Sequence, residues 1–425
     1  MDALKKFLLL FTIPELRKKV IFVVGMLVLF RLGAAIPIPS VDAGQLKAFL
    51  EGNQFFGLLN IFSGGALDNL SIAMLGVGPY ITGSIIMQLL TMIFPRLKEM
   101  YQEEGEIGRR RFNQYARYLT VPLALLQSYG LLVILVNQNI IPALSPSGYF
   151  TNMIVATAGS MLLMWMGEII SEQGIGNGLS LIIFAGIVSS IPSSIQQALA
   201  VYDPAQLPAY IGFFAVSLIV IAAVVFITEG QRNIPVSYAR RIRGNRVFGG
   251  VQTHLPLRVN QAGVIPIIFA VSVLLFPGMI GNFLIHAENV ILHGIAQFLV
   301  SLFNNQTFYT IAYFLLVFIF TFFYTFVTLD PQQIADNIQK QGGFILGIRP
   351  GRPTAEYLYH IVNRITLVGG LFLACIAVLP FLVTQFLQLS AFTIDGTSLL
   401  IAVSVILESK RQIEAQIVMR EYENV

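Results

Sequence analysis

Few side chains in this 425-residue sequence are equipped to make or break bonds. The four histidines, His254, His286, His293 and His360, are scattered in loops or at span ends, and no Asp/Glu/His cluster that could hold a metal is expected. The single cysteine, Cys375, lies in an apolar run and reads as a small hydrophobe rather than as a nucleophile or disulfide partner. The glycine-rich run Gly174-Ile175-Gly176-Asn177-Gly178 has no lysine after it, so it is not a phosphate-cradling loop. Glu168, Glu229, Asp330 and Asp395 fall at the ends of apolar runs rather than in their middles. Ion-coupled transporters keep ionisable groups inside their spans, and here those middles are empty of them. Neither an enzyme nor a cofactor is therefore expected. What remains is a population of isoleucines, which can close a water path by dewetting, and clusters of arginine, whose planar fork grips carboxylate or phosphate.

The elements that must position these groups are membrane helices. Hydrophobic residues make up 56% of the chain and charged ones 11%, well below the ~25% charged of a soluble domain. Ten apolar spans are expected at about 20–38, 71–94, 118–137, 150–170, 178–198, 208–228, 262–285, 308–329, 364–386 and 391–409, on a length of ~20 apolar residues per crossing. An amphipathic basic segment, 1–19, precedes them and suits the membrane surface. No cleavable leader is expected there, because the first apolar run is too long for one.

An even number of spans puts both termini on one side. Of the 26 Lys and Arg residues, only Arg31 and Lys47 fall outside the termini and loops of that side. The asymmetry makes it the cytoplasmic side. Two of its loops, 229–260 and 330–364, are longer than a topology signal requires and carry glycines and prolines at turn points. They read as ordered hairpins that suit RNA phosphates or an acidic partner protein. The plainer alternative is that their arginines only set orientation.

Residues 55–94 hold the least ordinary stretch. A short apolar run breaks at Ser63-Gly64-Gly65, passes Asp68-Asn69, and resumes as a full span. The first piece is too short to cross, and such a piece is tolerated at membrane depth only inside protein or a water-filled cavity. The second span opens Gly76-Val77-Gly78-Pro79-Tyr80-Ile81 and the seventh Gly263-Val264-Ile265-Pro266-Ile267-Ile268. The shared Gly-Val-x-Pro-x-Ile at the second position of each five-span half points to two inverted halves, 20–200 and 201–409, followed by a tail, 410–425. Ile81 and Ile268 would then lie at similar depth.

The motifs RLGAAIPIP (31–39), GVGPYITGSIIMQLL (76–90), GRRRFNQYARY (108–118), GEIISEQGIGNGLSLIIFAGI (167–187), YARR (238–241), PLRVNQAGVIPIIFA (256–270), DPQQIADN (330–337), GGFILGIRPGRPT (342–354) and GTSLLI (396–401) together resemble the SecY family of bacterial protein-conducting channels over essentially the whole chain. The resemblance implies an all-α fold of ten membrane helices in two pseudo-symmetric halves, closed at its waist by Ile81, Ile85, Leu179, Ile183, Ile268 and Ile401. Leu179 replaces the usual isoleucine, which changes little in an apolar gasket. It implies a plug at about 55–70, made of Phe56, Gly57, Leu58, Leu59, Asn60, Ile61, Phe62, Ser63, Gly64, Gly65, Ala66 and Leu67. It also implies a lateral gate between spans two and three and spans seven and eight, with Gln88 and Asn260 at the seam, where polar side chains can hydrogen-bond across helices or simply pair without a gating role.

By the same resemblance Arg240, Arg241, Arg243 and Arg349 would dock the ribosome or the ATPase SecA. SecE and SecG would be companion subunits, and signal peptides, nascent polypeptide and membrane lipid would meet at the gate of a bacterial cytoplasmic membrane. An apolar signal core gains a few tenths of a kcal/mol per residue in lipid, so a sideways opening lets each segment partition. Three other readings compete. A small-solute transporter would need polar groups at mid-span. A scramblase or insertase would need a hydrophilic groove and no basic hairpins. A structural scaffold would not need a half-helix.

Overall fold

The structure is a computed structural model that describes residues 13–38, 60, 63–67, 69–137, 140–200, 207–238, 241–243, 246–248, 252–284, 289–387 and 396–423. Its elements in chain order are α1 (Pro14–Ala34), α2 (Gly78–Ile93), α3 (Pro95–Gln102), α4 (Gly105–Asn137), α5 (Pro146–Glu172), α6 (Gly178–Ala200), α7 (Leu207–Glu229), strands β1 (Gln231–Tyr238), β2 (Arg241–Arg243), β3 (Arg246–Phe248) and β4 (Gln252–Arg258), then α8 (Ile265–Leu284), α9 (Val290–Asn304), α10 (Gln306–Thr328), α11 (Pro331–Lys340), β5 (Gly343–Phe344), α12 (Arg352–Leu387) and α13 (Gly396–Glu423). Each of the ten expected spans overlaps one long helix. Among the described residues, five helices are by length and composition able to cross a membrane, and α2 with α3 makes a sixth if the pair is one bent span.

Proline sets several starts. Pro14, Pro79, Pro95, Pro146 and Pro331 each stand in the first two positions of a helix, where the missing N–H would have no partner anyway. Side-chain caps add to this: Asp330 accepts from the Gln332 amide at 2.9 Å, and Asn177 accepts from Leu179 and Ser180 at 3.1 and 3.2 Å to open α6. Between α2 and α3, Phe94 is extended, as a residue before proline prefers. The chain there bends by 114°.

Three expectations are corrected. The second span was expected from 71, but residues 71–77 are turns and the helix begins at Gly78. Gly76 reverses the chain at φ +56, a conformation glycine adopts without penalty. The first span was expected to reach 38, but α1 ends at Ala34, Ala35 turns at φ −91 and ψ −11, and Pro37 then forms an isolated bridge with Ser71. There the Ile38 amide donates to Leu70 at 2.8 Å and the Ile72 amide to Ile36 at 3.0 Å, a short clasp that joins the two ends of the 39–69 excursion. The two long basic loops, 229–260 and 330–364, are not separate hairpins either. β1 pairs along its length with β4, from Gln231↔Arg258 to Ser237↔Gln252, while its far end pairs with β5 through Ser237↔Phe344 and Tyr238↔Gly343. Both loops therefore share one sheet, β4-β1-β5. The alternation along β1 turns Ile234 and Val236 inward, onto Leu257, Ala335, Ile338, Leu358 and Ile361. The expected surface segment and tail show no break from the spans in their described parts, since α1 starts at Pro14 and α13 runs on to Glu423.

The central core draws on nearly every long helix. Close approaches inside it depend on missing side chains: a Cβ on Gly178 would overlap the Gly167 carbonyl, which brings the start of α6 against α5.

Candidate functional site

The isoleucines expected at a waist come together. Ile81 and Ile85 on α2, Ile183 on α6, Ile268 on α8 and Ile401 on α13 are all buried, at 7%, 3%, 1%, 6% and 1% exposure, and belong to one apolar cluster. Leu179 is only partly buried and packs beside that cluster, its side chain lying over Gly167 of α5. Four helices thus contribute five isoleucines to one extended apolar core. Their contacts are nondirectional and carry no group that would prefer water.

Of the expected plug, Phe56, Gly57, Leu58, Leu59, Ile61 and Phe62 lie outside the described residues. The remainder forms a tight turn. The Gly65 amide donates to the Asn60 carbonyl at 2.8 Å, the Ser63 hydroxyl donates to the same carbonyl at 2.9 Å, and Ser63 Oγ accepts from the Leu67 amide at 3.1 Å. Gly64 and Gly65 are left-handed, at φ +69 and +78. Ser63, Ala66 and Leu67 are buried. Ala66 belongs to the same cluster as the five isoleucines, whereas Leu67 packs in a second one with Leu131, Leu132 and Leu135.

Sequence reasoning missed Arg31. Its Nη1 donates to the Gly64 carbonyl at 2.8 Å. A charge at mid-membrane costs about 2.5–3.5 kcal/mol, and less toward the ends. The available signal was its isolation, since it is one of two cations off the basic face.

The two gate residues are not paired with each other. Gln88 Oε1 and Asn260 Oδ1 are buried and accept no hydrogen bond from any described residue. α8 packs against both α2 and α4, which brings the N-terminal and C-terminal parts of the chain together. Gln102 of α3 also bonds to the C-terminal part of the chain, donating to the Val327 carbonyl at 3.4 Å and accepting from Gln333 at 3.3 Å.

Of the expected docking arginines, Arg240 lies outside the described residues, and Arg241 and Arg243 stand on β2, which pairs with β3. Arg349 is exposed on a turn between Gly347 and Gly351, both left-handed at φ +82 and +93. The Thr354 hydroxyl donates to its carbonyl at 2.9 Å and fixes the turn. Below the sheet, Arg411 donates to the Thr228 carbonyl at 2.7 Å and pairs with Glu229 at 3.1 Å. Burial, and then the charge of Arg411, hold the nearby Arg258 guanidinium below the usual arginine range, against the pull of Glu229 and Glu408. Arg117 and Glu168 form a further pair at 2.7 Å between α4 and α5.

Comparisons with known proteins identify the family and the fold. The family model described as SecY matches residues 71–409. The protein translocase subunit SecY of Streptomyces galbus is 44% identical, over 97% of each chain. Two solved structures share the fold. One concerns the plug domain of the SecY protein, described as stabilising the closed state of the translocation channel, with a TM-score of 0.63 and 21% identity over 94% of this chain and 92% of that one. The other is Sec61 in the canine ribosome–channel complex from the endoplasmic reticulum, with a TM-score of 0.62 and 19% identity over the same shares. With a family model covering most of its length and a relative of this identity from end to end, the chain belongs to the SecY family.

Proposed function

We propose that this chain is the channel-forming subunit of a bacterial protein translocase. It passes unfolded secretory polypeptides across the cytoplasmic membrane and releases apolar segments sideways into lipid. The observation that carries this reading is the convergence of five buried isoleucines from four helices, with a broken, glycine-turned segment packed onto the same cluster. The ring closes around any passing chain because apolar contacts do not depend on the sequence they meet. The 55–70 segment is the plug at rest, and the seam between α2/α4 and α8/α10 is the lateral gate. All ten long helices span, with both termini cytoplasmic, in two inverted halves at 20–200 and 201–409.

No bond chemistry is assigned to the subunit, so energy comes from a partner. Arg349, on the turn that follows β5, and Arg240, Arg241 and Arg243, in the segment between β1 and β4, dock the ribosome or SecA. SecE and SecG complete the complex. The ribosome reading is supported by a neighbour of the same fold seen in a ribosome–channel complex. A small-solute transporter is not favoured, since the relatives are named protein translocase subunits.

The direct test is reconstitution of the chain with SecE and SecG in liposomes, with SecA, ATP and a radiolabelled preprotein. Protease-protected preprotein that depends on this chain is the expected result. Uptake of small solutes without preprotein protection would overturn the reading.

A further inference from the structure

The turn at Ser63-Gly64-Gly65 is held at its crest from three directions. From α1, Arg31 donates Nη1 to the Gly64 carbonyl at 2.8 Å, and the same nitrogen lies 3.6 Å from where a Cβ of Gly65 would stand. Also from α1, the buried Phe30 ring covers Gly64, close enough that a Cβ there would meet Cε1 at 3.2 Å. From α6, Gly186 presents bare backbone, and any side chain there would overlap Gly64 itself. At the base, the clasp of Ile36 and Ile38 with Leu70 and Ile72 closes the loop independently of this contact. The turn's near limb is tied to that base, since the Ala66 carbonyl accepts from the Ser71 amide at 3.0 Å and the Ser71 hydroxyl at 2.9 Å, so the contacts at Gly64 are what hold its tip.

We propose that Arg31 is the positioning residue that keeps the plug seated, acting as a latch on the Gly64 carbonyl. The inference rests on reading residues 55–70 as the plug. The rule that gathers basic residues on the inner face gives no reason for a cation at this end of α1. A guanidinium is always charged and brings several donors on a long reach, which suits a grip on main chain across two glycines. The acceptor is a backbone carbonyl, so the bond forms only when the turn has the shape and place seen here. Such a bond adds to the seated state alone, and its loss raises the unseated fraction about tenfold or more, as expected for a hydrogen bond to a charged group.

The test is ion conductance of the complex with SecE and SecG in planar bilayers, with no preprotein present, normalised to complexes that translocate an unfolded preprotein. Four proteins are compared with the parent: Arg31→Ala, Arg31→Lys, Gly186→Ala, and a deletion of residues 57–67. The expected result is resting conductance about tenfold above the parent for Arg31→Ala, and at least as high for Gly186→Ala and the deletion. Arg31→Lys, which keeps a donor and the charge, falls between parent and alanine variant. If the deletion conducts but Arg31→Ala is as tight as the parent, the latch is wrong and the plug reading stands. If neither conducts, the plug reading itself fails. Should Arg31→Ala not assemble, Arg31→Lys and Gly186→Ala carry the test: parent-like tightness of both against a conducting deletion overturns the latch.

Discussion

Ile81 and Ile268 occupy the same structural position in two helices that start 187 residues apart. Each is the fourth residue of its helix, each follows a Gly-Val-x-Pro start, and each donates its amide to the valine four residues before it, Ile81 to Val77 at 3.1 Å and Ile268 to Val264 at 3.3 Å. The glycine ahead of each valine is left-handed, at φ +56 for Gly76 and +64 for Gly263. Both side chains end in one apolar cluster. The repeated sequence thus has a repeated geometry, which is what two inverted halves meeting at their second helices require.

That meeting point predicts the effect of emptying it. Replacing Ile81, Ile183, Ile268 and Ile401 with glycine in a protein that also lacks residues 57–67 should give sustained ion currents in reconstituted bilayers, larger than those of the deletion alone. Preprotein translocation should persist, because the ring only seals. Currents no larger than the deletion's would place the seal elsewhere.

At the seam, the two unpaired oxygens make a prediction about opening. A buried acceptor without a donor costs about 1–3 kcal/mol, and Gln88 carries one here; on the lateral-gate proposal this cost falls on the closed state. Gln88→Met keeps the length and removes the oxygen, so the closed seam should become more stable. Initial translocation rates of a preprotein with a weakly apolar signal should fall several-fold, with a strongly apolar signal less affected. Faster translocation of both would argue that Gln88 holds the seam shut.

Arg349 separates docking from topology. Arg349→Glu should abolish SecA-driven translocation while expression, membrane insertion and accessibility of the cytoplasmic loops to protease stay near the parent's. Unchanged secretion would dismiss the docking assignment.

The approach of α6 to α5 is tested by stability. A methyl on Gly178 would overlap the Gly167 carbonyl, and overpacking of this kind costs about 1–3 kcal/mol. Gly178→Ala should lower the thermal unfolding midpoint in detergent by several degrees. Gly212→Ala has open space around it and should leave the midpoint unchanged.

Much of the helix plan was legible because apolar length and proline starts are local signals. Pro79, Pro146 and Pro331 mark their helices without reference to anything distant. The burial of Ile81, Ile85, Ile183, Ile268 and Ile401 in the core was legible through a repeat and a family resemblance. What stayed hidden depends on partners far along the chain. The pairing of Tyr238 with Gly343 joins loops that read as independent, and two residues of strand carry no pattern of their own. The bond from Arg31 ends on a main-chain carbonyl, which every residue has, so no residue type at position 64 announces it. The turns at 71–77 are apolar in composition and were absorbed into the span beside them.

The shared sheet has a mechanical meaning. Arg349 stands a few residues beyond β5, β5 is bonded to β1, and β1 is bonded to β4 over seven residue pairs, from Gln231↔Arg258 to Ser237↔Gln252. Two residues past the end of β4 comes Asn260, and then α8. A load applied at the arginine tip is therefore conveyed through a hydrogen-bonded plate to the foot of the seam helix, rather than being lost in slack chain. On the channel proposal this plate would act as a lever between a docked partner and the start of α8.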